Sequence, residues 1–434
     1  MSVESTETPT NRTHATGGEM RLTLLLLLFS FFGLGLPRVF TSTAAHTLFI
    51  ETYGPEMIPY AYVMEALLVP LFGHLYMAAD ERFSLRQLIA GSMAVDLIML
   101  VALWLGFSLA EFRPVAFVAM VWFETEFVFC SLWLWGMAGQ LMSIRQGKRL
   151  FGYISAGEPT AVILGGALTP FALHFVGPKD LFLFSAAGVA LGIALVFYIT
   201  ARFTPQREAA SDEEESSAAA AHVVAKRWYA DRYVQVLVGI VVISQFGYFF
   251  TDSAFYLEAG ARFPDEAELG AFIGKYMAAV GCVSLVTSLF ITRPLVGRFG
   301  LRGALLLLPT LLGAAALAAS ISGIGFGAAG AVFWLAVAMK TVDQSVRYTV
   351  DKTSSVTLYQ PLPAAQRNQV QTALESIIEP LVGGASGLLL ALLIHFVGFD
   401  AVGIVTMTFV VAATWCVNAG VKMHQSAGAK VHHC

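Results

Sequence analysis

Ionisable side chains inside long apolar runs are the residues of this sequence most able to do chemistry. The densest set is Lys340, Asp343, Arg347 and Asp351. Steps of three, four and four residues keep all four on one helical face and place opposite charges one turn apart. Counting about 1.5 Å per residue from Gly327 puts Lys340 near the middle of a membrane and Arg347 and Asp351 near one end. Lys340 has no acid four residues on, since Gln344 stands there, so it is the member of the set best suited to meet a solute. An earlier run carries Glu124 and Glu126 at a comparable depth. Two residues apart, they point to nearly opposite faces, and either is a candidate partner for Lys340 or acceptor for a coupling proton. Arg38, just after Gly33, Gly35 and Pro37, with His46 two turns on, can attract an anion or hold a structural acid such as Asp252. Charges at such depth cost at least about 2.5–3.5 kcal/mol on the insertion scale, so each needs a partner or a water-filled cavity.

A second group lies in two echoed segments. Glu158-Pro159 precedes His174-Phe175-Val176-Gly177 by sixteen positions, and Glu379-Pro380 precedes His395-Phe396-Val397-Gly398 by the same sixteen. Glu158 and Glu379 are candidates for coupling, alongside Asp252, although a bend at each proline is the plainer role. Arg82-Phe83-Ser84-Leu85-Arg86 is matched by Arg298-Phe299-Gly300-Leu301-Arg302 at an offset of 298 − 82 = 216. Arg82, Arg86, Arg298 and Arg302, with Asp351, are candidates for a cytoplasmic gate, or else simple topology signals. Glu65 and Asp96 are single buried acids with no evident partner.

These residues must be positioned by membrane helices. Of the 434 residues, 57% are hydrophobic and only 13% charged, about half the charge of a soluble domain. Apolar runs of about twenty residues recur, each long enough to cross a bilayer, and lipid forces such runs into helices. The pattern predicts about twelve, at 22–50, 57–79, 84–107, 114–142, 150–176, 181–201, 233–256, 269–292, 303–322, 327–352, 369–396 and 401–421. Residues 1–21 form a polar tail and 22–201 a first six-helix bundle. A linker follows at 202–232, holding Asp212-Glu213-Glu214-Glu215, then a second bundle at 233–421 and a tail at 422–434. Leu22–Phe32 has a signal-like core, but with no timely cleavage site it reads as a retained first helix. If both tails and the linker share one side, nineteen Lys and Arg fall there and three on the other, which predicts cytoplasmic termini. Six helices per copy make the repeat parallel, as in the two halves of major facilitator transporters.

Other chemistries find no support. Gly325–Gly330 spells GxGxxG with no strand before it, and there is no GxxxxGK[ST] or HExxH. Cys130, Cys282, Cys416 and Cys434 are scattered, and His432-His433-Cys434 is too sparse for a closed metal site. Neither enzyme activity nor a cofactor, metal or nucleic-acid partner is expected.

Three stretches resemble the nucleotide (ATP/ADP) translocase group and its bacterial relatives, themselves similar to major facilitator transporters. They are Asp343–Lys352 continuing to Leu358–Pro363, then Arg145–Gly152, and Leu48–Ile50 through Tyr53-Gly54 to Ile58–Tyr62. The resemblance implies exchange of a small anionic solute by a monomer in a bacterial inner membrane, through a cavity lined by the first, fourth and tenth helices. Ala45 and His46 stand where relatives carry a basic and an acidic residue, and Gln140 where they carry Asn or Asp, so the chain departs from the nucleotide pattern while keeping that of a transporter. A proton-coupled carrier is the alternative within transport, and a receptor or scaffold the alternative outside it.

Overall fold

The computed structural model describes residues 17–415 apart from 81, 110–112, 143–145, 147–149, 151–152, 155, 204–231, 352–357, 359–361, 363–369, 372 and 399. Residues 1–16, most of the linker, the C-terminal tail and most of the stretch between the tenth and eleventh helices therefore lie outside the described residues, whereas 17–21, expected in the polar tail, already belong to the first helix. Twelve helical segments follow one another: α1 Gly17–Tyr53, α2 Ile58–Asp80, α3 Leu85–Leu109, α4 Pro114–Leu141, α5 Gly157–Leu173 and α6 Leu181–Arg202 in the first half. In the second half come α7 Arg232–Arg262, α8 Glu266–Val286, α9 Thr292–Ser320, α10 Ala329–Val346, α11 Glu379–Leu392 and α12 Ala401–Trp415. Nine of the described helices are long and apolar enough to cross a membrane, and among the described residues there is no strand. The chain is an integral membrane protein.

Local sequence explains the irregular stretches. Proline cannot donate a backbone hydrogen bond, which frees a carbonyl one turn earlier. In α1 the strain of Pro37 is taken up by a wide, π-type stretch over Phe29–Gly35, so the helix bulges rather than breaks. The glycines there serve close packing. A Cβ on Gly35 would lie 2.5 Å from the Ala161 methyl, so α1 and α5 meet at backbone distance. Gly54, with φ of +86°, makes the turn from α1 into Pro55 and α2. Similar wide turns follow α8, α9 and α10 and flank α11. One sequence expectation needs correction. The segment of Arg298 and Arg302, expected to be a turn between helices, is helical backbone within α9.

The halves join along two related seams. α5 packs on α8, and α2 on α11. Small residues make both possible. A Cβ on Gly166 would stand 2.6 Å from the Ala278 nitrogen, and one on Gly387 would stand 2.5 Å from the Pro59 carbonyl. The Gly165-Gly166 and Gly383–Gly387 clusters thus work as close-contact surfaces. At the Gly54 end the halves also close: Gly260 of α7 rests against Ile50 and Pro55. Among the described residues α4 and α10 make no comparable contact with each other. The halves therefore meet at the Gly54 end, through Gly260, Ile50 and Pro55.

Candidate functional site

The centre of the molecule gathers side chains from α1, α2, α4, α7 and α10. Lys340 of α10 hydrogen-bonds to the Asp252 carboxylate of α7, with only 2% and 7% of the two side chains exposed. The Tyr62 hydroxyl of α2 donates to the other Asp252 oxygen, so this acid ties α7 both to its own half and to the opposite one. The Tyr248 ring lies 4.8 Å from the Lys340 ammonium and 5.3 Å from the Arg347 guanidinium. That face supplies a cation–π environment for both. His46 of α1 is stacked 4.3 Å from Tyr256 of α7 and edge-on to Phe123, with its Nδ1 donating to the Ser42 carbonyl at 2.8 Å. This is a second tie between halves.

Arg38 has a different partner from the one considered for it. It pairs with Glu158 of α5 and lies 3.8 Å over the Phe127 ring, whereas Asp252 serves Lys340. Neither Glu124 nor Glu126 is the partner of Lys340. Glu124 is partly exposed, and among the described residues no hydrogen bond or ion pair holds it. Its charge is felt by Glu65, whose Oε1 is buried without a partner, and it in turn feels Arg38, Lys340 and Asp252. Glu126 faces the interior of the first half, 1% exposed, with neither oxygen hydrogen-bonded.

Lys340 is enclosed by Asp252 and Tyr248, and so does not itself face an aqueous opening. Arg38, Glu158, Glu124 and Arg347 are partly exposed. Asp343 and Arg347 form the expected one-turn pair, at 2.6 Å, which Ser244 of α7 completes by accepting from Arg347 at 2.6 Å. Glu379 is half-buried at the start of α11, the place that Glu158 holds in α5. Arg82, Arg86 and Arg298 are exposed. Arg86 lies 4.7 Å over Phe197 of its own half, beside a cavity of about 550 Å³ between α3 and α6, so it does not bridge the halves. The side chains of Arg302 and Asp351 fall outside the described residues.

Two pairs stand at matching places in the halves with their signs reversed. Arg38 on α1 and Asp252 on α7 are separated by 252 − 38 = 214, and Glu124 on α4 and Lys340 on α10 by 340 − 124 = 216. The second offset equals that of the repeated arginines, and the first is two residues shorter. The second half carries an acid on its first helix and a base on its fourth, bonded to each other. The first half carries a base and an acid at the same places, but its base has turned to Glu158.

Among solved structures, the chain matches the peptide transporter PepTSo of the POT family, with a TM-score of 0.65 and 10% identity, over 95% of this chain and 98% of that one. It also matches the nucleoside transporter NupG, with a TM-score of 0.62 and 12% identity over 93% and 99% of the two chains. A bacterial homologue of the iron transporter ferroportin, in an inward-facing state, matches with a TM-score of 0.62 and 14% identity over 93% and 100%. The fold is that of major facilitator transporters. At this identity the likeness carries architecture alone. No family model and no curated protein sequence matches the chain.

Proposed function

We propose that this chain is a secondary transporter, with proton coupling, for a small solute bound between the α1–α6 and α7–α12 halves. One observation carries the coupling. Among the described residues, the acids Glu65, Asp96, Glu124, Glu126, Glu158, Asp252 and Asp343 lie inside the molecule with the bases Arg38, Lys340 and Arg347. Each base already has an acid: Glu158, Asp252 and Asp343 respectively. Glu65, Asp96, Glu124 and Glu126 are left with no basic partner among the described residues, and buried carboxylates without a counter-charge are neutralised by protons or cations. The two-seam packing, with the halves meeting at the Gly54 end, supports movement of the halves about this centre.

The exchange of ATP for ADP suggested by the sequence resemblance requires free cations for a polyanion. Such a solute would have to displace Glu158 from Arg38 or Asp252 from Lys340. Proton coupling asks for no such rearrangement and uses the surplus acids directly.

The test is reconstitution of the purified chain in liposomes holding a pH-sensitive dye, challenged in turn with peptides, nucleosides, sugars and adenine nucleotides. Proton entry triggered by one solute class and absent from empty vesicles is the expected result. Exchange of labelled ATP against internal ADP with no proton movement would overturn the coupling. Flux of no solute, from protein shown to be folded, would overturn transport.

A further inference from the structure

The acid surplus has a component away from the interface between halves. Asp96 of α3 is 0% exposed and Glu126 of α4 is 1% exposed. Three of their four carboxyl oxygens, Asp96 Oδ2 and both oxygens of Glu126, have no hydrogen-bond partner. The fourth, Asp96 Oδ1, accepts from the Trp122 indole at 2.8 Å. Trp122 precedes Glu126 by one turn on α4, so the indole that holds Asp96 sets it on the face bearing Glu126. The two acids are close enough for the charge of one to act on the other, and the Thr41 hydroxyl of α1 lies beside Glu126. The other charged or titratable groups facing them are Arg38 of α1, Cys130 one turn further along α4, and Glu158 of α5, which acts on Cys130. Arg38 is bonded to Glu158 and does not neutralise the pair.

We propose that Asp96 and Glu126 form a proton-binding site inside the first half, and that Arg38 transmits its charge to the central site. With two carboxyls enclosed beside one neutral donor, the arrangement as it stands is one in which protons sit on the pair. Protonation leaves Arg38 to Glu158. When the proton departs to water, a carboxylate appears within the field of Arg38 and competes with Glu158 for the guanidinium. No bond is made or broken except O–H, and the proton is exchanged with solvent. Glu124, on the opposite face of α4, feels the same arginine, so movement of Arg38 changes the charge offered to a solute. This rests on the transporter reading for its purpose but not for its test.

That test is an infrared titration of the full-length chain in lipid nanodiscs, which reads protonation whether or not a solute moves. Wild-type protein is expected to show a protonated-carboxyl stretch near neutral pH that loses a component in Glu126→Gln and in Asp96→Asn. Glu379→Gln should retain that component. Trp122→Phe, which removes only the indole donor, should shift the band without abolishing it, and serves if the acid variants fail to fold. Spectra of Glu126→Gln and Asp96→Asn superimposable on wild type, or an unmoved band in Trp122→Phe, would overturn the site. Loss of the band on adding sodium at constant pH would instead make it a metal-cation site and equally overturn the proposal. Absence of flux in liposomes with the titration intact would leave this site standing and remove the transport reading alone.

Discussion

At the residue scale the decisive feature is that each interior base is already matched. The Lys340–Asp252 pair is almost wholly enclosed, so removing one partner leaves an unpaired buried charge, at a cost of about 3–5 kcal/mol. Lys340→Met should lower the thermal unfolding midpoint of the detergent-purified protein by the amount that corresponds to this loss. The double variant Lys340→Met/Asp252→Asn should recover most of it, because the stranded carboxylate is then gone. A double variant no better than the single one would mean that Lys340 matters through something other than this pair. Arg38–Glu158 is partly exposed, so its contribution to stability is small and its effect should be on flux. Glu158→Gln is expected to keep the fold while sharply reducing any solute-triggered proton entry, and an unchanged rate would exclude the pair from the cycle. That Lys340, Glu124 and Arg38 stand inside long helices was legible in the sequence from the apolar runs that hold them. Their partners were not. Asp252, assigned as a structural acid for Arg38, serves Lys340 instead, because α7 and α10 adjoin within one half while Glu158 reaches Arg38 from α5. Tyr62 stands out in the sequence only within a resembling stretch, and Tyr248 and Tyr256 not at all, because an aromatic residue in an apolar run carries no periodic signal of its own. The sign-reversed equivalence of Glu124 and Lys340 was available from the offset of the repeated arginines.

At the scale of the helix, small residues decide where the halves meet. Gly387 abuts the Pro59 backbone and Gly166 the Ala278 backbone, so neither seam has space for a side chain without displacing main chain. Gly387→Leu is expected to destabilise by about 1–3 kcal/mol or more, as overpacking does, seen as a lower unfolding midpoint. Gly91→Leu in α3, where nothing lies within 4 Å of the added carbon, should have little effect. Equal losses in the two would refute the seam as a close-packed contact. The glycine clusters in α5 and α11 were readable as contact surfaces from the sequence, though not which helices they would meet. The opposite held for α9. Arg298 and Arg302 lie among charged and glycine residues that resemble a turn, yet the backbone stays helical through both.

At the scale of the molecule, the parallel repeat was the most legible property of all. Two short echoes at offsets of 216 and 221 in equivalent helices point to the two-bundle architecture shared with PepTSo and NupG at 10–12% identity. What a single sequence holds no record of is which end of the assembly is closed, because that depends on the balance between two arrangements of the same contacts. Contacts of Gly260 with Ile50 and Pro55 and the Tyr62–Asp252 and His46–Tyr256 ties hold the Gly54 end shut here. A carrier must be able to part these and bring α4 to α10.

The most direct test of that claim is the distance between spin labels placed on opposite halves at each end. Leu109 with Ala261 reports the Gly54 end and Gln140 with Arg298 the other; all four positions are exposed. The account predicts two distances at each end, changing reciprocally as pH is varied, so that the Leu109–Ala261 separation grows as the Gln140–Arg298 separation shrinks. A single unchanging distance at both ends across the pH range, in folded protein in lipid, would contradict it.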